Sequence, residues 1–103
     1  PLVAQSPSSL AQVEERSYAL YQQQAWDSLL SYGEQALDHG IDYYYLRLRM
    51  GIAAYELGAY KKARQHLLVA SNYQPEDPYL NDLLAYTYLQ LGWSLEAHQR
   101  VPW

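Results

Sequence analysis

Three histidines, two adjacent acidic pairs and twelve tyrosines are the side chains of this sequence with chemistry to offer. His39, His66 and His98 each lack a His, Asp or Glu four residues further on, so none forms the helical pair that grips a metal. They read as solvated surface side chains. Glu14–Glu15 and Glu76–Asp77 are neighbours in sequence, and adjacent residues on a helix do not face one another, so neither pair is an acid–base couple. They read as solvated or capping charges. No nucleophile elbow and no glycine-rich phosphate loop is present, and the five glycines suit turns and close packing. The sequence therefore predicts no enzyme, no cofactor and no metal. The tyrosines remain, together with three tryptophans and no phenylalanine. A tyrosine offers a large apolar body and a polar tip at low entropic cost, which suits recognition rather than catalysis.

The elements that must carry these rings are helical. Over Tyr44–Asp77 the residues Leu46, Met50, Ala53 and Leu57 recur at helical spacing and predict one buried face. Gly58 breaks that helix, and a second starts near Tyr60 with Ala63, Leu67 and Ala70 on one stripe. Pro75 stops it, because proline cannot continue a helix. Gly51, Ala63 and Ala70 are small enough for two helices to approach closely. Upstream, Ser9 and Gln12 have capping-box spacing at the head of a helix running to about Gln23, whose interior face would be Val13, Ser17 and Leu20. Trp26, Leu29, Leu30 and Ala36 anchor the next helix, with Gly40 as its left-handed C-cap. Asp42 is expected to cap the third helix. Asp77–Pro78 opens the fifth, with Asp at the N-cap and Pro at the first helical position. Gly92 turns the chain, and Pro102 ends a short sixth helix. No strand pattern occurs.

The unit repeats. Gly51, Leu57, Gly58 and Ala63 recur about 34 residues later as Ala85, Leu91, Gly92 and Ala97, and Tyr55, Tyr60 and Ala70 match Tyr21, Trp26 and Ala36 one step earlier. A helix-turn-helix unit with this period resembles the tetratricopeptide repeat. In that frame Gly51, Ala63, Ala70 and Pro75 take the eighth, twentieth, twenty-seventh and thirty-second places. Arg47, Arg16, Leu29 and Gln24 depart from it, Gln24 standing where a turn glycine is usual. The resemblance implies an all-α right-handed superhelix of about three repeats, at residues 10–43, 44–77 and 78–103, the last truncated. Residues 9–103 would form the repeat domain behind a lead-in at 1–8. On this frame His66 and His98 fall towards the outer face of successive second helices. Packed helices lie about 10 Å apart, too far for the two to share a metal.

The resemblance also implies a ligand groove along the first helix of each repeat. Its places hold Ala11, Glu14, Tyr18 and Tyr21, then Tyr45, Leu48, Ile52 and Tyr55, then Tyr79, Asp82, Tyr86 and Leu89. Six tyrosines thus fall on one surface. Some members of the family clamp an acidic peptide C-terminus. The corresponding places here hold Glu14, Tyr18, Arg49, Tyr79 and Leu83, of which only Arg49 fits. The expected function is non-catalytic binding of an extended peptide or partner helix in a tyrosine-rich groove. A structural or self-associating assembly unit and a carbohydrate-binding surface are the alternatives.

Composition bounds the rest. One hundred and three residues make at most one domain, and half of them are apolar. Net charge −4 disfavours nucleic acid and anionic membrane surfaces. No segment approaches the roughly 20 apolar residues of a membrane span. The absence of cysteine removes disulfides and thiolate zinc sites. Leu2–Ser6 resembles the end of a secretory signal peptide, and Asp42–Gly51 loosely resembles repeat domains of bacterial envelope proteins. Both point to a periplasmic or envelope setting, with the cytoplasm as alternative. Leu84, Tyr88, Leu91 and Trp93 are expected to be incompletely covered by the short final helix, so the chain is expected to self-associate through its C-terminal repeat.

Overall fold

The third helix of the chain is apolar on nearly every side, and such a helix must be enclosed. In the computed structural model, which describes residues 8–92, it lies at the centre. Five α-helices occur among the described residues: α1 (Leu10–Gln22), α2 (Trp26–Asp38), α3 (Tyr44–Glu56), α4 (Tyr60–Tyr73) and α5 (Pro78–Gln90). α3 packs against all four others. Its buried residues run Tyr44, Leu46, Leu48 to Ala54 without a gap. α1, α3 and α5 begin at residues 10, 44 and 78, a step of 34, and α2 and α4 begin at 26 and 60, the same step.

Local chemistry fixes the ends. Ser9 Oγ accepts from the Gln12 N–H, while the Gln12 side-chain Oε1 accepts from the Ser8 N–H rather than from that of Ser9. The capping box is therefore shifted by one residue. Asp77 accepts from the Tyr79 N–H ahead of Pro78. The hairpin turns share one device. Gln24 and Gly58 adopt positive φ, and the next N–H bonds a carbonyl five residues back, Ala25 to Leu20 and Ala59 to Ala54. Gly40 closes α2 the same way, with Ile41 bonding Ala36. Gln24 occupies with φ 55° a conformation that Gly58 and Gly92 reach at 78° and 79°.

Packing follows the small residues. Val13, Leu29, Leu46, Met50, Ala53 and Ala63 form one part of the core, and Leu67, Ala70, Leu80, Leu84 and Ala85 continue it towards α5. At Gly51 the crossing of α3 and α4 is so close that a Cβ would meet Leu67 Cδ2 at 2.5 Å. Pro75 lies exposed in the turn between α4 and α5.

Several expectations are corrected. Leu57 is the C-cap of α3, not part of its buried face, and is 42% exposed. It lies where the chain leaves the helix, over the Gln24–Ser28 turn of the preceding hairpin. Leu91 takes the same position over Gly58–Lys62. Asp42 does not cap α3: Tyr43 is the N-cap, without a side-chain bond, and Asp42 instead holds Arg47 with both carboxylate oxygens at 2.9 Å. His66 is not solvated. It is buried between α4 and α3, where its Nδ1 accepts from Arg47 Nη1 at 3.0 Å. Leu84 and Tyr88 are buried rather than incompletely covered. Ala97, Trp93, His98, the sixth helix and the lead-in before Ser8 lie outside the described residues.

Candidate functional site

The first helices place their aromatic side chains along one stripe each. On α5, Tyr79, Asp82 and Tyr86 are spaced three and four residues apart, so they share a face. Tyr18 on α1, Tyr45 on α3, and Tyr79 and Tyr86 on α5 are 46%, 51%, 52% and 58% exposed. Each ring thus keeps about half of its surface open to solvent.

Between α1 and α3 the centre of this surface is an ion pair. Arg49 Nη1 and Nη2 donate to the two Glu14 carboxylate oxygens at 2.8 and 3.0 Å, and Nη1 also donates to Ser17 Oγ at 3.1 Å. The guanidinium carbon lies 5.2 Å from the Tyr18 ring centre and 5.5 Å from that of Tyr45. A bidentate fork between two aromatic rings is the geometry in which arginine is held best. Tyr43 adds a third donor to Glu14, at 2.9 Å. The hydrogen bond from Arg49, helped by that of Tyr43, holds the Glu14 carboxyl below the usual carboxylate range against the opposing effect of burial. Burial and the bond to Glu14 push the Tyr43 phenol up to about 12. No buried side-chain polar atom among the described residues lacks a partner. Arg49 is thus spent within the chain. It is not an open cation for a peptide carboxylate, as the clamp frame required.

Leu48 and Ile52 are also removed from a ligand's reach, both being buried. α3 is the middle helix, and Tyr21 from α1 packs over the cluster that contains them. The Tyr79 phenol from α5 lies beside that of Tyr21. Burial first, and that neighbour second, raise it above the ordinary tyrosine range. Tyr21 and Tyr79 therefore meet above α3. Tyr21 is half-buried and stacks edge-on against Trp26 at 6.1 Å. Tyr55 is half-buried too, edge-on to Tyr60 at 5.2 Å, and accepts from Gln90 Nε2 at 3.4 Å. The open part of the candidate surface is accordingly Tyr18, Tyr45, Tyr79, Asp82 and Tyr86, with Arg49–Glu14 as its polar centre.

Sequence reasoning misses two participants and one pairing. Glu14 holds a groove place by pattern, and its pairing with Arg49 is not visible there. Tyr43 and Tyr44 fall outside the groove pattern, although Tyr43 braces Glu14 and the Tyr44 hydroxyl donates to Asp77. Burial and Asp77 push the Tyr44 phenol well up. A signal existed. Cross-hairpin partners here stand near one repeat step apart, Glu14 and Arg49 by 35 residues and Tyr44 and Asp77 by 33. Opposite charges at that offset on successive first helices are candidates for pairing.

Among the described residues no group of three or more His, Asp or Glu side chains could hold a metal ion. No described helix is long and apolar enough to cross a membrane.

No family model and no curated protein matches the sequence. Solved structures do. A chain titled "MamA MSR-1 C2" superposes with a TM-score of 0.81 at 21% identity, over 95% of this chain and 56% of that one. A MamA point mutant gives 0.84 at 20% identity, over 95% of this chain and 54% of that one. A second MamA point mutant gives 0.81 at 20% identity, over 92% and 69%. The chain thus spans little more than half the length of the first two. MamA is a tetratricopeptide-like protein, and at this identity the likeness establishes one thing, that the five helices form a helical repeat of the tetratricopeptide type.

Proposed function

We propose that the chain is a non-catalytic protein-interaction module that holds an extended peptide or a partner's helix across its first-helix face. One observation carries this: four tyrosines on successive first helices stay about half exposed around a polar centre that is already satisfied. A repeat array buries what it needs for its own core, so large rings left open on one side are available to a partner. Tyrosine anchors contribute binding through ring contact while their hydroxyls stay hydrated.

A peptide array followed by titration tests the proposal. Tyr45→Ala and Tyr79→Ala should each weaken the best peptide by about 1–2 kcal/mol. Tyr73→Ala, an exposed ring on α4, should leave it unchanged. Binding that survives both groove changes, or that is lost with Tyr73, would refute the proposal. Glycan binding in place of peptide binding would favour the sugar-stacking alternative. Binding of neither, with concentration-dependent self-association, would favour an assembly unit.

A further inference from the structure

We infer that the occupant of this face is a cationic segment of a partner protein, whose Lys or Arg side chains seat over Tyr79 and Tyr86 against the Asp82 carboxylate. The inference rests on the groove proposal and adds the chemistry of the ligand.

The chain contains its own example of the arrangement. Between α1 and α3 two rings, Tyr18 and Tyr45, and one carboxylate, Glu14, enclose the Arg49 guanidinium at 5.2 and 5.5 Å from the ring centres. On α5 two rings and one carboxylate stand on a single stripe as Tyr79, Asp82 and Tyr86, all exposed. Seven helical residues rise about 10 Å, so a cation over Asp82 would lie roughly 5 Å from each ring along the axis. Asp82 and Tyr86 stand two repeat steps after Glu14 and Tyr18, and Tyr79 stands one step after Tyr45. Among the described residues the rings and the carboxylate are present there, and no ion pair or cation–ring contact occupies them.

The charges nearby agree. Glu56, Asp77 and Asp82 have no ion-pair partner among the described residues. Among the described residues the Asp77 carboxylate accepts only from neutral donors, the Tyr44 hydroxyl and the Tyr79 N–H. The six lysines and arginines among the described residues are placed elsewhere. Arg49 is neutralised by Glu14, and Arg47 is held by Asp42 and beside His66. Lys61, Lys62 and Arg64 belong to α4, where Lys62 pairs with Glu34 of α2. Arg16 acts on Tyr32 of α2. The face built by α3 and α5 is therefore aromatic and acidic. The negative faces of exposed rings attract an ammonium or guanidinium, and adjacent carboxylates add to that attraction while repelling acidic peptides.

The test uses 12-residue synthetic peptides in a Gly/Ser/Pro background. One set carries three arginines, a second carries citrulline at the same places, and a third carries glutamate. Citrulline keeps the shape of arginine without its charge. Binding is measured by calorimetry in low and high salt. The arginine set should bind at least fivefold tighter than the citrulline set, and the difference should shrink in high salt. Asp82→Asn should cost the arginine peptides about threefold, and Asp38→Asn, an exposed carboxylate on α2, should cost nothing. Tyr86→Phe should retain affinity and Tyr86→Leu should lower it about threefold. Equal binding of arginine and citrulline peptides, both lost with Tyr45→Ala, would overturn the cationic inference and leave the groove proposal standing. An arginine preference untouched by Asp82→Asn and Tyr86→Leu would overturn the placement. Binding by no peptide of any composition would overturn both.

Discussion

Gly51→Ala sets two effects of known sign against each other. Alanine is a better helix former than glycine by about 1 kcal/mol, so an unobstructed position would be stabilised. Here the added Cβ would stand 2.5 Å from Leu67 Cδ2 and 2.6 Å from Leu67 Cγ, with the Ala63 carbonyl oxygen 3.6 Å away. Carbon atoms rest at about 3.5–4.0 Å, so the overlap is about 1 Å. Leu67 is 1% exposed, so it can shift only against other buried side chains. Retreat of α4 as a whole would loosen Ala63 and Ala70, which are also fully buried. Overpacking of this kind costs about 1–3 kcal/mol, which meets or exceeds the propensity gain, so the variant should lose up to about 2 kcal/mol net. Gly51→Leu should lose more. Leu67→Ala alone leaves a cavity and should cost about 2–5 kcal/mol. In the double variant the new methyl enters the space that Leu67 vacated, so Gly51→Ala should become neutral or stabilising, a coupling of about 1–3 kcal/mol. Urea unfolding followed by far-ultraviolet circular dichroism measures all four corners of the cycle. A Gly51→Ala variant more stable than the parent, or additive effects in the double variant, would refute close helix approach at this position.

Three further outcomes follow from other contacts. Gln24→Gly should stabilise by about 1 kcal/mol, because a non-glycine residue at positive φ is strained and the equivalent turn at Gly58 uses glycine; a lower melting temperature would contradict this. Burial, with the Arg47 charge second, holds His66 down at about 4 in the folded chain against 6.5 when free, so in that window the unfolded chain binds the proton that the folded chain refuses. Stability should therefore fall as pH drops from 6.5 towards 4, by about 2 kcal/mol, and His66→Gln should flatten the upper part of that slope. Glu14 has its pKa lowered, so its contribution is present above 4.5 and is lost only below it, which separates the two in a pH series of unfolding curves. Glu14→Ala leaves the buried Arg49 without its carboxylate. Because Glu14 is itself about half exposed, the loss should be nearer 1–2 kcal/mol than the full cost of an orphaned buried charge. An unchanged unfolding midpoint would show that the pair is not coupled to folding.

The helices were legible because their signals are local. Asp77–Pro78, Gly58, Gly40 and the Ala63–Leu67–Ala70 stripe each act within a turn or two of chain, and α4 begins at Tyr60 as its spacing predicts. The fold was legible because the same signals recur every 34 residues. The site was less so, because its contacts join residues one hairpin apart. Arg49 looked like an open cation until packing brought Glu14 to it across 35 residues. His66 looked solvated because nothing on α4 shows that Arg47 of α3 covers it. Leu48 and Ile52 carried groove positions by pattern, yet α3 is the middle helix and the rings of its neighbours close over it. Asp42 has the residue type of a cap, but the fork of Arg47 five residues on offers two charged bonds where the helix end offers one.

Amide chemical-shift mapping of the ¹⁵N-labelled chain, titrated with the arginine-bearing 12-residue peptide, tests the proposed binding face most directly. The largest shifts are expected at Tyr18, Tyr45, Tyr79, Asp82 and Tyr86 on α1, α3 and α5. Shifts confined to α2 and α4, around Asp38, Lys61–Arg64 or Tyr73, would contradict it.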